Sequence, residues 1–171
     1  KLIQKKPITL PLSAEEGVER VEVDGFVEWR AQQLWKNEPF KSVELSFDLQ
    51  LEEGAAVLVS RMWLQRALDV LLANAVEAMA DCITKRVKLI TRHKGGSECE
   101  ICVLDSGPGI PDELRDKILK DPIDKKIGEK GMGMGLLIAQ TIVETYRGGI
   151  SCGDTGDQGT CMIVRLPLVE A

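Results

Sequence analysis

The chain has 171 residues, 44% of them hydrophobic and 29% charged, with a formal net charge of −5. This is the composition of one soluble globular domain with a real core, and it excludes a disordered or fibrous chain. The acidic balance argues against a nucleic-acid partner, which selects a basic face, but leaves room for a small anionic ligand held by local amides and a cation. No apolar run is long enough to cross a bilayer, and the basic N-terminus is not followed by the apolar stretch of a signal peptide. The first residue is Lys1 rather than Met, so a piece of a longer, cytoplasmic chain is expected, with membrane anchoring of the parent left open. The five cysteines read as reduced. Cys99 and Cys102 form a C-x-x-C, but within the strand-like run ECEICVLD, where positions three apart face opposite ways. Small buried hydrophobes are a better reading of them than metal ligands.

In chain order, residues 1–22 read as a lead-in or linker from an upstream domain and 23–171 as one domain. Residues 24–37 have near-helical apolar spacing with Asp24 as a candidate N-cap. VELSFDL alternates cleanly, AAVLVS follows Gly54, and 41–60 is therefore predicted to be a hairpin. From Arg61 to Asp81 the apolar residues Leu64, Ala67, Leu68, Leu71, Leu72, Ala75, Val76 and Met79 recur at three- and four-residue spacing, which predicts a helix capped by Ser60. RVKLITRH and ECEICVLD are two strands joined at Lys94-Gly95-Gly96-Ser97, and Pro111 opens a short helix over DELRDKIL. Residues 120–130 read as a mobile loop, Met132 to Tyr146 as a helix ended by Arg147-Gly148-Gly149, and GISCG with GTCMIVRLPL as a terminal hairpin. This order predicts an α+β two-layer sandwich with a mixed, mostly antiparallel sheet and helices on one face.

Three places carry chemistry. Asn74 is a poor helix former at the edge of the apolar stripe, either a solvated flank residue or an amide oxygen offered to a hard cation such as Mg²⁺. Asp105 ends a strand and opens DSGPGI, a plain turn or a place where backbone approaches a ligand closely. Gly131, Gly133 and Gly135 stand directly before a helix, where free amides and the helix dipole favour phosphate. The G-x-G-x-G spacing is not a dinucleotide fingerprint, which needs glycine at the position of Leu136, and no P-loop is present.

Taken together, Asn74 in NAVEA, then DSGPG, GMGMGLL and Gly159-Thr160, resemble the N, G1 and G2 boxes of the GHKL ATPase superfamily. The resemblance is greatest to the catalytic ATP-binding domain of bacterial sensor histidine kinases and runs from about residue 22 to 169. It implies a Bergerat-type sandwich with ATP and Mg²⁺ between the Asn helix and a lid. By position it implies Asn74 as the metal ligand, Asp105 as the carboxylate accepting from the adenine amino group, and Thr160 as the hydroxyl supporting that contact. Glu77 and Ala78 on the Asn helix, and Gly107, Gly109 and Ile110 after Asp105, fall beside the nucleotide. Gly131, Met132, Gly133, Gly135 and Leu136 match the lid-to-helix segment at the phosphates, with Lys126 and Lys130 as phosphate partners in the lid.

This chain departs from the pattern at Val70, where the superfamily's hydrolases carry a Glu base and many kinases an Asn, and at 118–124, ILKDPID, where the phenylalanine box of the lid is missing. No phosphoacceptor helix pair is present, and the only histidine, His93, reads as a residue beside a glycine turn. The resemblance therefore implies a kinase domain that delivers the γ-phosphoryl of Mg-ATP to a histidine on a separate dimerisation and phosphoacceptor helical domain, with a response regulator as an indirect partner, no nucleic acid, and a monomeric fragment. The alternatives are a catalytically silent GHKL nucleotide-binding module and an anti-sigma-type serine kinase.

Overall fold

A computed structural model describes residues 16–115, 117–119, 134–153 and 159–170. The elements run β1 (Val18–Glu22), α1 (Val23–Leu34), a 3-10 turn at Phe40–Ser42, β2 (Glu44–Leu49), β3 (Ala56–Ser60), α2 (Arg61–Ala78), β4 (Arg86–Lys94), β5 (Glu98–Asp105), α3 (Asp112–Arg115), α4 (Gly135–Thr145), β6 (Gly149–Gly153) and β7 (Thr160–Pro167). The main sheet has the order β2-β4-β5-β7-β6, and β1 pairs with β3 in a separate two-stranded ribbon. Only β2 and β4 are parallel, so the sheet is mixed and mostly antiparallel as expected.

Strand alternation decides which face is covered. Val87, Leu89 and Thr91 on β4, Cys99, Ile101 and Val103 on β5, and Met162, Val164 and Leu166 on β7 are all buried, and the helices lie over this face. The stripe of α2 supplies Leu64, Ala67, Leu68, Leu71, Leu72, Ala75 and Val76 to the same core, and α4 adds Leu136, Ala139, Ile142 and Val143. The opposite face carries a ladder of charge in which Arg92 Nε donates to Glu100 at 2.7 Å and Arg165 Nε to Glu98 at 3.0 Å. Cys99 belongs to the core and Cys102, three residues on, to the other face. Burial pushes the Cys99 thiol up to about 12, so it stays protonated at neutral pH. Helix α1 is tied to α2 by a bidentate ion pair, Arg30 to Asp69 at 2.6 and 2.7 Å.

Four expectations are corrected. First, β2 and β3 do not form a hairpin: β2 joins the main sheet beside β4, whereas β3 leaves it to pair with β1. Alternation identifies a strand but not its partner, and Gly54, at φ 85, turns the chain between two sheets rather than back on itself. Second, residues 18–22, assigned to the lead-in, are a strand with only Val21 buried. Third, α1 starts at Val23 with Glu22 as N-cap. Asp24 lies inside the first turn, where Thr91 Oγ1 donates to its carboxylate and links helix to sheet. Fourth, the helix after Pro111 spans only Asp112–Arg115. The terminal helix is described from Gly135, and its expected start at Met132, like the loop 120–130, lies outside the described residues.

Candidate nucleotide site

The site is built where the C-terminal half of α2 meets the end of β5. In register, Asp105 at the end of β5 lies opposite Thr160 at the start of β7 and opposite Val87 on β4. Both Asp105 and Thr160 are buried. The Gly107 N–H donates to Asp105 Oδ1 at 2.9 Å, closing an Asx turn, and the Thr160 backbone N–H also donates to the carboxylate. Burial pushes the Asp105 carboxyl up from its ordinary value, against the pull of these two amides. A buried carboxylate held by amides, with no paired cation among the described residues, is poised to accept from a polar ligand edge.

Glycines are demanded where backbone segments meet. A Cβ at Gly159 would lie 1.9 Å from the Asp105 carbonyl oxygen, and Gly159 has φ 76. A Cβ at Gly109, φ 81, would lie 3.0 Å from the Gly159 carbonyl oxygen. The turn after Asp105 and the entry to β7 therefore touch backbone to backbone. Gly159→Ala combines a positive φ with a backbone collision, and it is expected to cost about 3 kcal/mol or more of stability, read by urea unfolding, together with loss of nucleotide binding.

The turn is seated on α2. A Cβ at Gly107 would meet Met79 Cγ at 3.3 Å and the Ala78 carbonyl oxygen at 3.7 Å, and Ser106 Oγ donates to Met79 Sδ at 3.4 Å. Asn74 is half-buried one turn before Ala78, while Glu77 and Ala78 are exposed. Gly135 opens α4, and Leu136 is buried in the core. Ile110 is partly buried, and its carbonyl accepts from Arg115 Nε at 3.3 Å. The structure thus brings Ala78, Asp105, Gly107, Gly109 and Thr160 to one junction, with Glu77 and Asn74 preceding Ala78 on α2, Ile110 following Gly109 in the chain, and Gly135 beside Val70 of α2. Lys126, Lys130, Gly131, Met132 and Gly133 lie outside the described residues.

Three residues at or beside the junction, Met79, Arg86 and Lys88, carry no site role in the sequence analysis. Met79 appeared only as the last member of the apolar stripe, yet it is fully buried and carries the Ser106-Gly107 turn. Arg86 and Lys88, with Ser46, Leu104, Asp105, Ser106 and Gly107, line an open cavity of about 510 Å³. Lys88 and Leu104 stand on the uncovered face of the sheet, so this cavity is on the other side of the turn from α2.

A carboxylate at a strand end, the α2 helix beside it and a glycine-led helix N-terminus make an arrangement that suits a nucleotide. Residues 60–170 match the family of histidine kinase-, DNA gyrase B- and HSP90-like ATPases, well over half of the chain, and the chain belongs to that family. The C4-dicarboxylate transport sensor protein DctS of Rhodobacter capsulatus is 37% identical over 115 residues, which cover 67% of this chain and 17% of that protein. The chain thus spans about a sixth of the length of this relative. The fold is shared with full-length ShkA in complex with AMPPNP, at TM-score 0.76 and 21% identity over 94% of this chain and 33% of that one. It is also shared with the histidine kinase ThkA in complex with the response regulator protein TrrA, at TM-score 0.70 and 20% identity over 88% of this chain and 41% of that one. Among the described residues no helix is long and apolar enough to cross a membrane.

Proposed function

We propose that this chain is the ATP-binding catalytic domain of a sensor histidine kinase, the domain taking in β1 (Val18–Glu22) as well as residues 23–171. It holds ATP with Mg²⁺ and presents the γ-phosphoryl group to a histidine on a separate helical domain of the cytoplasmic part of its parent. The observation that carries this reading is the buried Asp105 carboxylate, fixed by the Gly107 and Thr160 amides at the edge of α2. Such an acceptor fits the amino edge of adenine. The Asn74 side-chain oxygen, about a turn and a half further from that edge along α2, fits a hard cation that keeps most of its waters. Gly131, Gly133 and Gly135 supply amides to the phosphates, with Lys126 and Lys130 adding charge. Membership of a family that includes histidine kinases supports the transfer chemistry, and the regulator bound to ThkA supports a response regulator as the downstream acceptor. In this chemistry the domain contributes positioning and charge neutralisation, while the nucleophile comes from its partner.

A silent nucleotide-binding module is the second reading, favoured by Val70 at the position that carries a polar residue in active relatives of the superfamily. Both readings require Mg²⁺-dependent ATP binding. ATP at about a hundred times its dissociation constant should raise stability by ~2.7 kcal/mol, read as a shift of the melting curve. Asn74→Ala should remove most of the Mg²⁺-dependent part of that shift, and a melting curve indifferent to ATP with Mg²⁺ removes the nucleotide reading altogether.

A further inference from the structure

We propose that Val70 is a positioning residue for the triphosphate, setting the first turn of α4 through direct contact with Gly135. The inference rests on the nucleotide reading above and gives a role to a residue that appears in that reading only as a departure from the family pattern.

The contact is specific. A Cβ built on Gly135 would lie 3.1 Å from Val70 Cγ1, tighter than nine in ten real contacts of that kind. Gly135 is the first residue of α4, and its neighbour Met134, the N-cap, provides no side-chain cap. Among the described residues no capping side chain takes up the amides of that first turn, and they are the donors a phosphate meets. Val70 is half-buried against the core, and its β-branched side chain is confined to few rotamers, so it acts as a stiff stop rather than a yielding one. Four residues further along α2, on the same face and one turn away, stands Asn74. One segment of α2 thus carries the cation ligand at 74 and the stop for the phosphate-facing helix at 70, and the separation of the two is fixed by a single rigid turn. A triphosphate must reach both. An overfilled 70–135 contact pushes α4 away from Asn74 and leaves the adenine pocket at Asp105 untouched.

The test uses the full chain and five proteins, unaltered, Gly135→Ala, Val70→Ala, Val70→Ile and the Gly135→Ala/Val70→Ala double variant, with Mg-ATP and adenosine titrated calorimetrically. Gly135→Ala is expected to weaken Mg-ATP by about tenfold or more while adenosine stays within about twofold, because the added methyl overpacks only the phosphate end. Val70→Ala in the same chain vacates that space and should return Mg-ATP to within about threefold of the unaltered protein. Val70→Ile enlarges the contact from the other helix and should mimic Gly135→Ala, which keeps the question answerable should the alanine variant not fold. Equal losses for adenosine and Mg-ATP, an unaffected Gly135→Ala, or a double variant no better than Gly135→Ala overturns the proposal. Absence of adenosine binding in the unaltered chain instead overturns the nucleotide reading beneath it.

Discussion

Asp105→Asn is expected to weaken ATP binding by about ten- to a hundredfold, the loss of one charge-assisted hydrogen bond of ~1.5–3 kcal/mol, and to flatten its dependence on acid. The direction of the pH effect follows from burial. The Asp105 carboxyl is pushed above the ordinary aspartate value by desolvation, so in the empty site it takes up its proton at a higher pH than an exposed aspartate does. Only the ionised form offers every lone pair to the adenine amino group. ATP affinity should therefore fall as pH is lowered through that raised pKa, and binding at a pH within the window should release protons. The opposite sign applies to stability without nucleotide. A carboxyl whose folded pKa lies above its unfolded one contributes stability that is fully present below the unfolded pKa and is lost as pH rises through the folded pKa. At neutral pH the buried charge thus burdens the empty fold, and the asparagine variant should melt at the same temperature or higher while binding ATP less well. The base preference should narrow in step. Guanine sets an oxygen against the carboxylate, and sites built on one such bond discriminate by ~10⁴, whereas an amide can turn its NH₂ toward that oxygen. Titrations of ATP and GTP across pH with both proteins check all of this. An aspartate protein with no acid dependence, or GTP competing within about twofold of ATP before any substitution, removes Asp105 from the base.

Much of this site could be read from the chain because its parts are punctuated locally. Asp105 stands where an apolar strand stops and a Ser-Gly-Pro-Gly turn begins, and strand ends with turn residues are legible without a fold. The α2 stripe is equally clear, since eight apolar positions from Leu64 to Met79 keep one face over about four turns. Failures fell where the deciding contact is distant in sequence. Whether AVLVS pairs with the strand before it or with a strand forty residues upstream depends on competition among partners, and the alternation of VELSFDL is the same in both cases. The strand Val18–Glu22 escaped because its ribbon is solvated on one side and its sequence, VERVE, buries a single valine. In the sequence Val70 is legible only as a missing polar group. That it is also what Gly135 rests against is a property of the distance between two helices, which no spacing along either one encodes.

The same residue bears on the last expectation: with γ-radiolabelled ATP and Mg²⁺ this chain alone should show negligible phosphate release and no label on itself, and label should appear when a helical histidine-bearing partner domain is added. Hydrolysis needs a base or orienting group within hydrogen-bond reach of a water. One turn before Asn74 the side chain is valine, apolar and packed on α4, which neither accepts a proton nor orders water there. Glu77 is the nearest other carboxylate on the helix, exposed and about 60° around from Asn74, and it is the group to remove as a control. Self-labelling is opposed by geometry. His93 pairs with Cys99, whereas Asp105 pairs with Val87, so six strand residues, about 20 Å, separate the chain's only histidine from the adenine end of the site. His93 is moreover held at the far end of β4 in contact with Glu52. An in-line attack on the γ-phosphorus demands approach to within about 3–3.5 Å, which a paired strand cannot deliver from that distance. Acid-labile label on the added partner alone establishes the kinase, and its absence with ATP still bound establishes the silent module. Phosphate release abolished by Glu77→Ala, or label on His93, would show that this chain carries its own base or its own acceptor, against the geometry of α2 and β4.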